Sequence, residues 1–165
     1  MWTVLKLDKK RLSFLKEDFK NKLDMDFVFY SPKLLIEKFK KNKISKCEFD
    51  LLGDYVFCYH KKFEQPSTIN ILKFSRGLKY FLDGFISSQN EIQEFVNNCK
   101  KFENKNGYIT HNIFKILADK KYKFSSGPFT SQIFKIIEIQ KDKLSISIGN
   151  IKTKINKKSF LFYPI

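Results

Sequence analysis

The chain of 165 residues is long enough for one ordinary domain or two small ones, and its 19 phenylalanines provide the apolar side chains of a folded core. This aromatic content excludes a disordered chain, and no apolar stretch approaches the roughly 20 residues that a membrane-spanning helix needs. The net charge of +15 favours partners that carry negative charge, such as nucleic acids.

The first half of the sequence predicts an antiparallel sheet with helices. Trp2–Leu7 and residues 27–30 are rich in β-forming side chains, and Tyr55–Tyr59 is apolar enough for a central strand. Between the first two strands, Leu12–Leu23 carries leucine and phenylalanine at steps of three and four residues, which predicts an amphipathic helix. Two weakly apolar arms around a polar turn predict a basic hairpin or an extended loop over residues 34–49.

The next segments complete this predicted domain. Residues 66–74 predict a short helix that begins with a proline, and residues 78–82 predict a fourth strand. Apolar side chains recur on one face between Ile92 and Phe102, which predicts a second long helix after the cap candidates at residues 87–88. The order of elements predicts an α+β domain in which the helices cover one face of an antiparallel sheet.

A polar turn at residues 104–107 separates this domain from a segment of different character. Short strands are predicted at residues 133–139, 144–148, 151–155 and 160–163. Several short strands in about 55 residues predict a small all-β barrel. We therefore predict two domains, residues 1–106 and 107–165, and the second carries 11 basic and three acidic side chains.

The sequence contains no pattern that indicates catalysis. It has no nucleophile beside a base, no cluster of metal ligands and no phosphate-binding glycine loop. Cys47, Cys58 and Cys99 are too widely spaced for a metal site, and we expect reduced thiols. The start of the chain is too quickly charged for a secretory signal. We therefore expect a cytoplasmic binding protein that is no enzyme and needs no cofactor.

Motifs of the first domain occur in an order that is found in a known family. Trp2 lies in an opening strand before a helix, and the 18 residues 33–50 precede the sequence Leu-Leu-Gly-Asp-Tyr-Val-Phe at residues 51–57. Ser-Arg-Gly at residues 75–77 is followed by Leu78 and Phe81. These features resemble the opening strand, the LFPxYhF signature and the TRGV-x-x-F motif of the NusG/RfaH family of transcription factors.

The second domain extends the resemblance over almost the whole chain. Ser-Gly-Pro-Phe at residues 126–129 resembles the DGPF that opens the C-terminal KOW barrel, and residues 152–156 correspond to its last hairpin. The chain departs from the family pattern at Gly53 and Asp54, which replace a proline and a glycine, and in the shortened turn at residues 148–150. These departures indicate a divergent, specialised paralogue.

The resemblance implies that the first domain binds the tip of the clamp coiled coil of RNA polymerase through a concave apolar patch. The residues expected in this patch are Leu5, Leu7, Leu52, Tyr55 and Phe57. A place in the core is an equally good interpretation of Phe57. The residues expected near the opposite jaw of the polymerase are Thr68, Asn70 and Ile71. Contacts on both sides of the cleft would hold the clamp closed and suppress pausing.

The same resemblance implies contact with the exposed non-template DNA strand. Arg76 is the residue expected to bind an unpaired base, and Ser75 would add a hydrogen bond. Phosphate contacts are expected from Lys9, Lys16 and Lys20. The alternative role of Arg76 is a structural ion pair beside Gly77, and the lysines could simply be solvated.

In this family the KOW barrel binds the ribosomal protein NusE and thereby couples transcription to translation. The residues expected to form this contact are Phe129, Ile148 and Ile151. The shortened turn predicts weak binding of the terminator Rho. Alternating β-branched residues at 144–155 favour a barrel as the resting state over the helical hairpin of RfaH-type members. We expect a monomer.

One alternative function stays open. KOW barrels and high positive charge also occur in proteins that bind RNA or the ribosome, so the chain could be a KOW-containing RNA- or ribosome-binding protein. The sequence names neither the operons served nor a recruiting DNA element, and it does not separate antitermination from control of pausing.

Overall fold

The computed structural model describes residues 1–23, 26–40, 43–110 and 112–165. The chain divides into two compact units, of which the first comprises Met1–Pro32 and Asp50–Asn98, and the second comprises Lys33–Phe49 and Cys99–Ile165. No helix among these residues is both long and apolar enough to cross a membrane. The predicted domains, residues 1–106 and 107–165, are continuous stretches that we expect to fold independently. The division into units does not test independent folding, so these domains stay a prediction.

The first unit contains four strands and the helices that the sequence predicts. Its elements are β1 (Trp2–Leu7), α1 (Leu12–Leu23), β2 (Val28–Tyr30), β5 (Tyr55–Tyr59), α2 (Pro66–Leu72), β6 (Leu78–Phe81) and α3 (Gln89–Lys101). The last residues of α3 belong to the second unit, as do the two strands that come between β2 and β5 in the sequence, apart from Asp50. Short 3-10 helices at Lys9–Arg11 and Lys61–Glu64 lead into α1 and α2. The strands form an antiparallel sheet in the order β2-β5-β1-β6.

The two faces of this sheet pack against different helices. On one face, the buried residues of α1 and α2 join Leu5, Leu7, Val56 and Cys58 in one core cluster. On the other face, Ile92 and Val96 of α3 pack with Val4 and Phe57 in a second cluster. The prediction that the helices share one face was therefore wrong. Strand residues alternate between faces, so β1 and β5 present apolar side chains to both.

In the second unit, β3 (Lys33–Lys40) and β4 (Lys43–Asp50) form a two-stranded sheet, and Asp50 already belongs to the first unit. This confirms the predicted hairpin rather than an extended loop. Lys41 and Asn42, in the middle of the predicted turn, lie outside the described residues.

The rest of the second unit is an all-β structure. Its strands are β7 (Lys121–Phe124), β8 (Ile133–Ile139), β9 (Lys143–Ile148), β10 (Ile151–Asn156) and β11 (Phe162–Pro164). They form an antiparallel sheet in the order β10-β9-β8-β7-β11, and every strand contributes to one core cluster. The predicted fold class, an α+β domain followed by a small all-β domain, is thereby confirmed. The sequence patterns missed β7.

Candidate functional site

One exposed feature of the first unit is a row of three side chains across adjacent strands. Lys6 lies opposite Tyr55 on one side and opposite Tyr80 on the other. Directly opposed residues of antiparallel strands project from the same face, so the three side chains form one row, which we call the Tyr–Lys–Tyr row. Tyr80 is 44% exposed and Tyr55 is half-buried.

Contacts within the row hold its members in place. The hydroxyl oxygens of Tyr55 and Tyr80 are 3.0 Å apart. The Lys6 ammonium lies 5.2 Å from the centroid of the Tyr55 ring and 5.7 Å from that of Tyr80. These are cation–π distances. The hydrogen bond between the two hydroxyls lowers the pKa of Tyr55 and raises the pKa of Tyr80. The two tyrosines also raise the pKa of Lys6.

A cluster of aromatic side chains lies on the same face of the sheet as the row. Phe57 is 6% exposed at the centre of this cluster. The rings around it are those of Trp2, Tyr30 and Phe95, at centroid distances of 6.5, 6.3 and 5.7 Å. Leu52 is half-buried against this cluster. Phe57 thus belongs to the core, one of the two interpretations that the sequence allowed, whereas Leu52 and Tyr55 have exposed surface.

Two leucines predicted for the patch lie elsewhere. Leu5 and Leu7 have no exposed surface and belong to the core cluster beneath α1. Leu5 is opposite Val56 in the register, so it projects from the face that Tyr55 and Phe57 do not share. Their assignment to a partner-binding patch was wrong, because strand alternation places them on the other side of the sheet. Lys6, between them, projects from the face of Tyr55.

The three residues predicted at the second polymerase contact all lie in α2 but differ in exposure. Thr68 is only 8% exposed, and its side chain faces the protein. Its assignment as a contact residue was therefore wrong. Asn70 is exposed and Ile71 is 58% exposed, so both side chains can meet a partner.

Arg76 forms an ion-pair cluster with two acidic residues of α1. Its Nε and Nη2 donate hydrogen bonds to Asp18 Oδ1 at 3.0 and 2.6 Å, and Nη2 also donates to Glu17 at 2.9 Å. Its guanidinium carbon lies 5.0 Å from the centroid of the Phe14 ring. The hydrogen bonds from Arg76 lower the pKa of Asp18, which in turn raises the pKa of Arg76. This cluster matches the structural ion pair that the sequence left open.

Gly77 brings Arg76 close to the start of α1. Its φ is +82°, and a Cβ atom there would lie 2.8 Å from both Cβ and the carbonyl oxygen of Arg11. The Gly77 carbonyl accepts a hydrogen bond from the amide of Asp8 at 2.8 Å. Glycine has no Cβ atom, so the backbone at residue 77 can lie this close to Arg11. A cleft of about 230 Å³ is lined by Arg11, Phe14 and Arg76.

The other predicted DNA-binding residues do not surround this cleft. Ser75 is 4% exposed and its hydroxyl accepts a hydrogen bond from Lys22, so its assignment to DNA was wrong. Lys9 forms an ion pair with Asp50. Lys16 and Lys20 are exposed. Each of these two is two residues from Asp18, and at about 100° per residue both lie on the opposite side of α1 from it.

The sequence patterns missed one exposed aromatic residue, which lies two residues before Arg76 in the chain. Phe74 is 87% exposed, the largest exposure among the large apolar side chains that the structure describes. The available signal was its position directly before Ser-Arg-Gly, as the last residue of the predicted helix. An exposed aromatic ring is a surface on which an unpaired base can stack.

The predicted KOW contact residues separate into two places. Ile148 and Ile151 face each other across the turn between β9 and β10, and Ile151 is 70% exposed. Phe129 is half-buried, with its ring 5.7 Å from that of Phe124 and 5.9 Å from that of Phe160. Among the described residues, no three His, Cys, Asp or Glu side chains come close enough to hold a metal ion.

Comparison with known proteins gives a limited result. No family model matches this sequence, and no curated protein matches it. A chain in the crystal structure of conformation B of the MjSpt4:Spt5 complex is 14% identical, with a TM-score of 0.30 over 100% of this chain and 98% of that chain. Thermotoga maritima NusG is 14% identical, with a TM-score of 0.36 over 94% and 91%. Both TM-scores are below 0.5, so the functional argument rests on the chain's own residues.

Proposed function

We propose that the chain is a monomeric transcription elongation factor of the NusG/RfaH type, which binds the clamp coiled coil of RNA polymerase and catalyses no reaction. The observation that carries the proposal is the Tyr–Lys–Tyr row. Tyr55 belongs to the segment 51–57 that resembles the family signature, and it lies on the same face as the exposed Tyr80 and the half-buried Leu52.

The row has the chemistry that such a contact needs. Tyrosine rings bury apolar area against a helix while their hydroxyls keep a hydrogen-bonding group at the rim. Lys6, held above both rings, can pair with a carboxylate of the coil. The core cluster around Phe57 supports the sheet from which the row projects, so little side-chain entropy is lost on binding.

The second part of the proposal concerns polymerase-bound DNA. Arg76, with the exposed ring of Phe14 against it, would contact an unpaired base of the non-template strand, and the exposed Phe74 precedes Arg76 by two residues. Asn70 and Ile71 would touch the opposite jaw of the polymerase, and a factor that bridges the cleft would suppress pausing. Whether this yields antitermination depends on the operon.

The third part concerns the all-β unit. Ile148 and Ile151 would bind NusE at the β9–β10 turn, and β10 is an outer strand of the sheet order, where strand addition can occur. An NMR titration of the full chain with NusE tests this contact. Shift changes that avoid Ile148 and Ile151 would argue against it.

The polymerase contact is tested by replacing Tyr55 or Tyr80 with alanine in the full chain. Truncation of a central aromatic residue in an interface costs about 2 kcal/mol or more, so we expect each substitution to weaken binding to a clamp coiled-coil fragment at least tenfold. Titration calorimetry measures the affinity, and circular dichroism checks the fold.

Tyr59→Ala provides the matched control. Tyr59 is 42% exposed on the same sheet, but it lies opposite Trp2 and outside the row. We expect this variant to bind the fragment normally. If all three variants bind alike while folded, the row is not the polymerase contact.

A further inference from the structure

The outward face of the five-stranded sheet carries lysines at aligned positions on three strands. Burial alternates along β7 and β8, so Lys121 and Lys135 project outward while their neighbours enter the core. The register places Lys121 opposite Lys135, Lys135 opposite Ser147, and Ser147 opposite Lys152. One continuous row, Lys–Lys–Ser–Lys, therefore crosses β7, β8, β9 and β10.

Two further lysines widen this row into a patch. Lys123 lies two residues beyond Lys121 on β7, and Lys154 lies two residues beyond Lys152 on β10, opposite Ser145. Residues two apart on a strand are about 6.7 Å apart and share a face, and three strand spacings amount to about 14 Å. We call the five lysines, Lys121, Lys123, Lys135, Lys152 and Lys154, the lysine face.

Most of the charge on the lysine face is uncompensated. Lys135 is paired with Asp119 at 2.8 Å. Among the described residues, none of the other four lysines has an ion-pair partner. Glu138, opposite Ser145, is the acidic side chain that the register places on this face. Like charges on directly opposed strand positions repel, and an anion that bridges them removes this cost.

A shallow depression lies between the lysines of β10. It has a volume of about 250 Å³ and its lining includes Ile137, Ser145, Lys152 and Lys154. The lysines at its edge can contact the phosphates of a nucleic-acid backbone, and the apolar side chain in its lining can contact the sugars between them. The aligned outward residues of β7, β8, β9 and β10 include no arginine, tryptophan or tyrosine. These three residue types contribute most to the binding energy of protein–protein contacts.

We propose that the lysine face binds the sugar–phosphate backbone of a single-stranded nucleic acid. A sheet surface accepts an extended strand, whereas duplex grooves are usually entered by a helix or a protruding ribbon. The contact is to phosphate, so it tolerates any base sequence and depends on salt. It is separate from the Tyr–Lys–Tyr row and from Arg76, and it does not rest on the proposed polymerase contact.

The test measures the affinity of the full chain for a fluorescent single strand across a range of salt concentrations. The probes are oligo-U RNA, oligo-dT DNA and a duplex DNA of equal length. Each neutralised phosphate contributes about 0.7 to the slope of log K against log salt for a single strand. We expect Lys121→Gln combined with Lys152→Gln to reduce the magnitude of this slope by about 1.4. If the wild-type chain and the variant bind equally at 1 M salt, the affinity of the variant is about 25-fold lower at 0.1 M salt.

A double variant of equal charge is the control. Lys105 and Lys115 are exposed and lie outside the strands, so Lys105→Gln with Lys115→Gln should leave the slope unchanged. An equal loss in both double variants would show a general charge effect and overturn the proposal. Asp119→Asn frees Lys135 and should steepen the slope by about 0.7, and an unchanged slope would also contradict the proposal.

The three probes distinguish the possible ligands. Equal binding of the RNA and DNA strands supports contact with phosphate, whereas a large preference for either strand overturns a phosphate-only contact. Tighter binding of the duplex overturns the choice of a single strand. Clamp binding measured on the same variants should not change, which separates this proposal from the polymerase contact.

Discussion

Arg76 uses three of its five side-chain N–H donors on Asp18 and Glu17. The two donors of Nη1 have no partner among the described residues. The neighbouring carboxylates repel phosphate, but they also fix the plane of the guanidinium and orient the remaining donors. A base edge with acceptor atoms is therefore a better ligand for Arg76 than the DNA backbone. The structural ion pair and the proposed base contact are compatible.

This geometry predicts that Arg76→Ala weakens binding to elongation complexes with an exposed non-template strand. One good base contact is worth about 1–3 kcal/mol. Arg76→Lys keeps the charge but loses the planar fork, so we expect it to restore little of the affinity. Electrophoretic mobility shifts with several non-template sequences measure the effect.

The clamp fragment serves as the internal control for these variants. Arg76 lies outside the Tyr–Lys–Tyr row, so we expect fragment binding to survive in both. Full rescue by lysine would point to a phosphate contact, and normal recruitment of Arg76→Ala would remove Arg76 from the DNA surface.

Single positions on the strands could be predicted only in part. The alternation of β1 shows that Leu5 and Leu7 share a face, but it does not show whether Tyr55 projects from that face or from the other one. That depends on the register between strands separated by 50 residues, which no local pattern determines. The partners of Arg76 are likewise 58 and 59 residues away in the sequence.

At the scale of elements, the sequence predicted those whose periodicity is long. α1 and α3 have apolar residues at helical spacing over three turns, and the β3–β4 hairpin has two arms of eight residues. β7 has only four residues, and its lysines lie on the outer face. Its strand character arises from pairing with β8 and with β11, and β11 begins 38 residues after β7 ends, so local patterns missed it.

The close approach between Gly77 and the start of α1 makes a prediction about element packing. Gly77→Ala combines a positive φ with contacts of 2.8 Å to Arg11, whereas Gly84 has a positive φ and no atom within 4 Å of the place that an added methyl group would take. The backbone conformation alone costs about 1–2 kcal/mol in either variant. Overpacking adds about 1–3 kcal/mol at Gly77.

We therefore expect Gly77→Ala to lower the free energy of unfolding by at least about 1 kcal/mol more than Gly84→Ala. Urea unfolding followed by the fluorescence of Trp2, the single tryptophan, reports on this unit. Equal losses in the two variants would show that α1 can move away from residue 77 without cost.

At the scale of the whole molecule, the first unit combines an aromatic row with an arginine cluster, and the second presents a lysine face. The sequence located the highest excess of positive charge after residue 106, where 11 basic and three acidic residues occur. It did not show that five of these lysines align across three strands, because the alignment comes from strand register. Composition thus indicated the kind of partner, and topology indicates where it binds.

The last prediction is that residues 107–165 fold as a separate all-β domain with the same structure alone and in the full chain. All five strands of its sheet and all eight buried residues of its core cluster lie between residues 121 and 164. Because each strand fills part of this core, the fragment keeps the contacts within the core cluster, although it loses the stacking of Tyr163 on Phe49. Amide NMR spectra of the fragment and the full chain should therefore superimpose for β7 to β11. Helical shifts for these residues in the full chain, with strand shifts in the fragment, would instead reveal a change of fold like that of RfaH-type members.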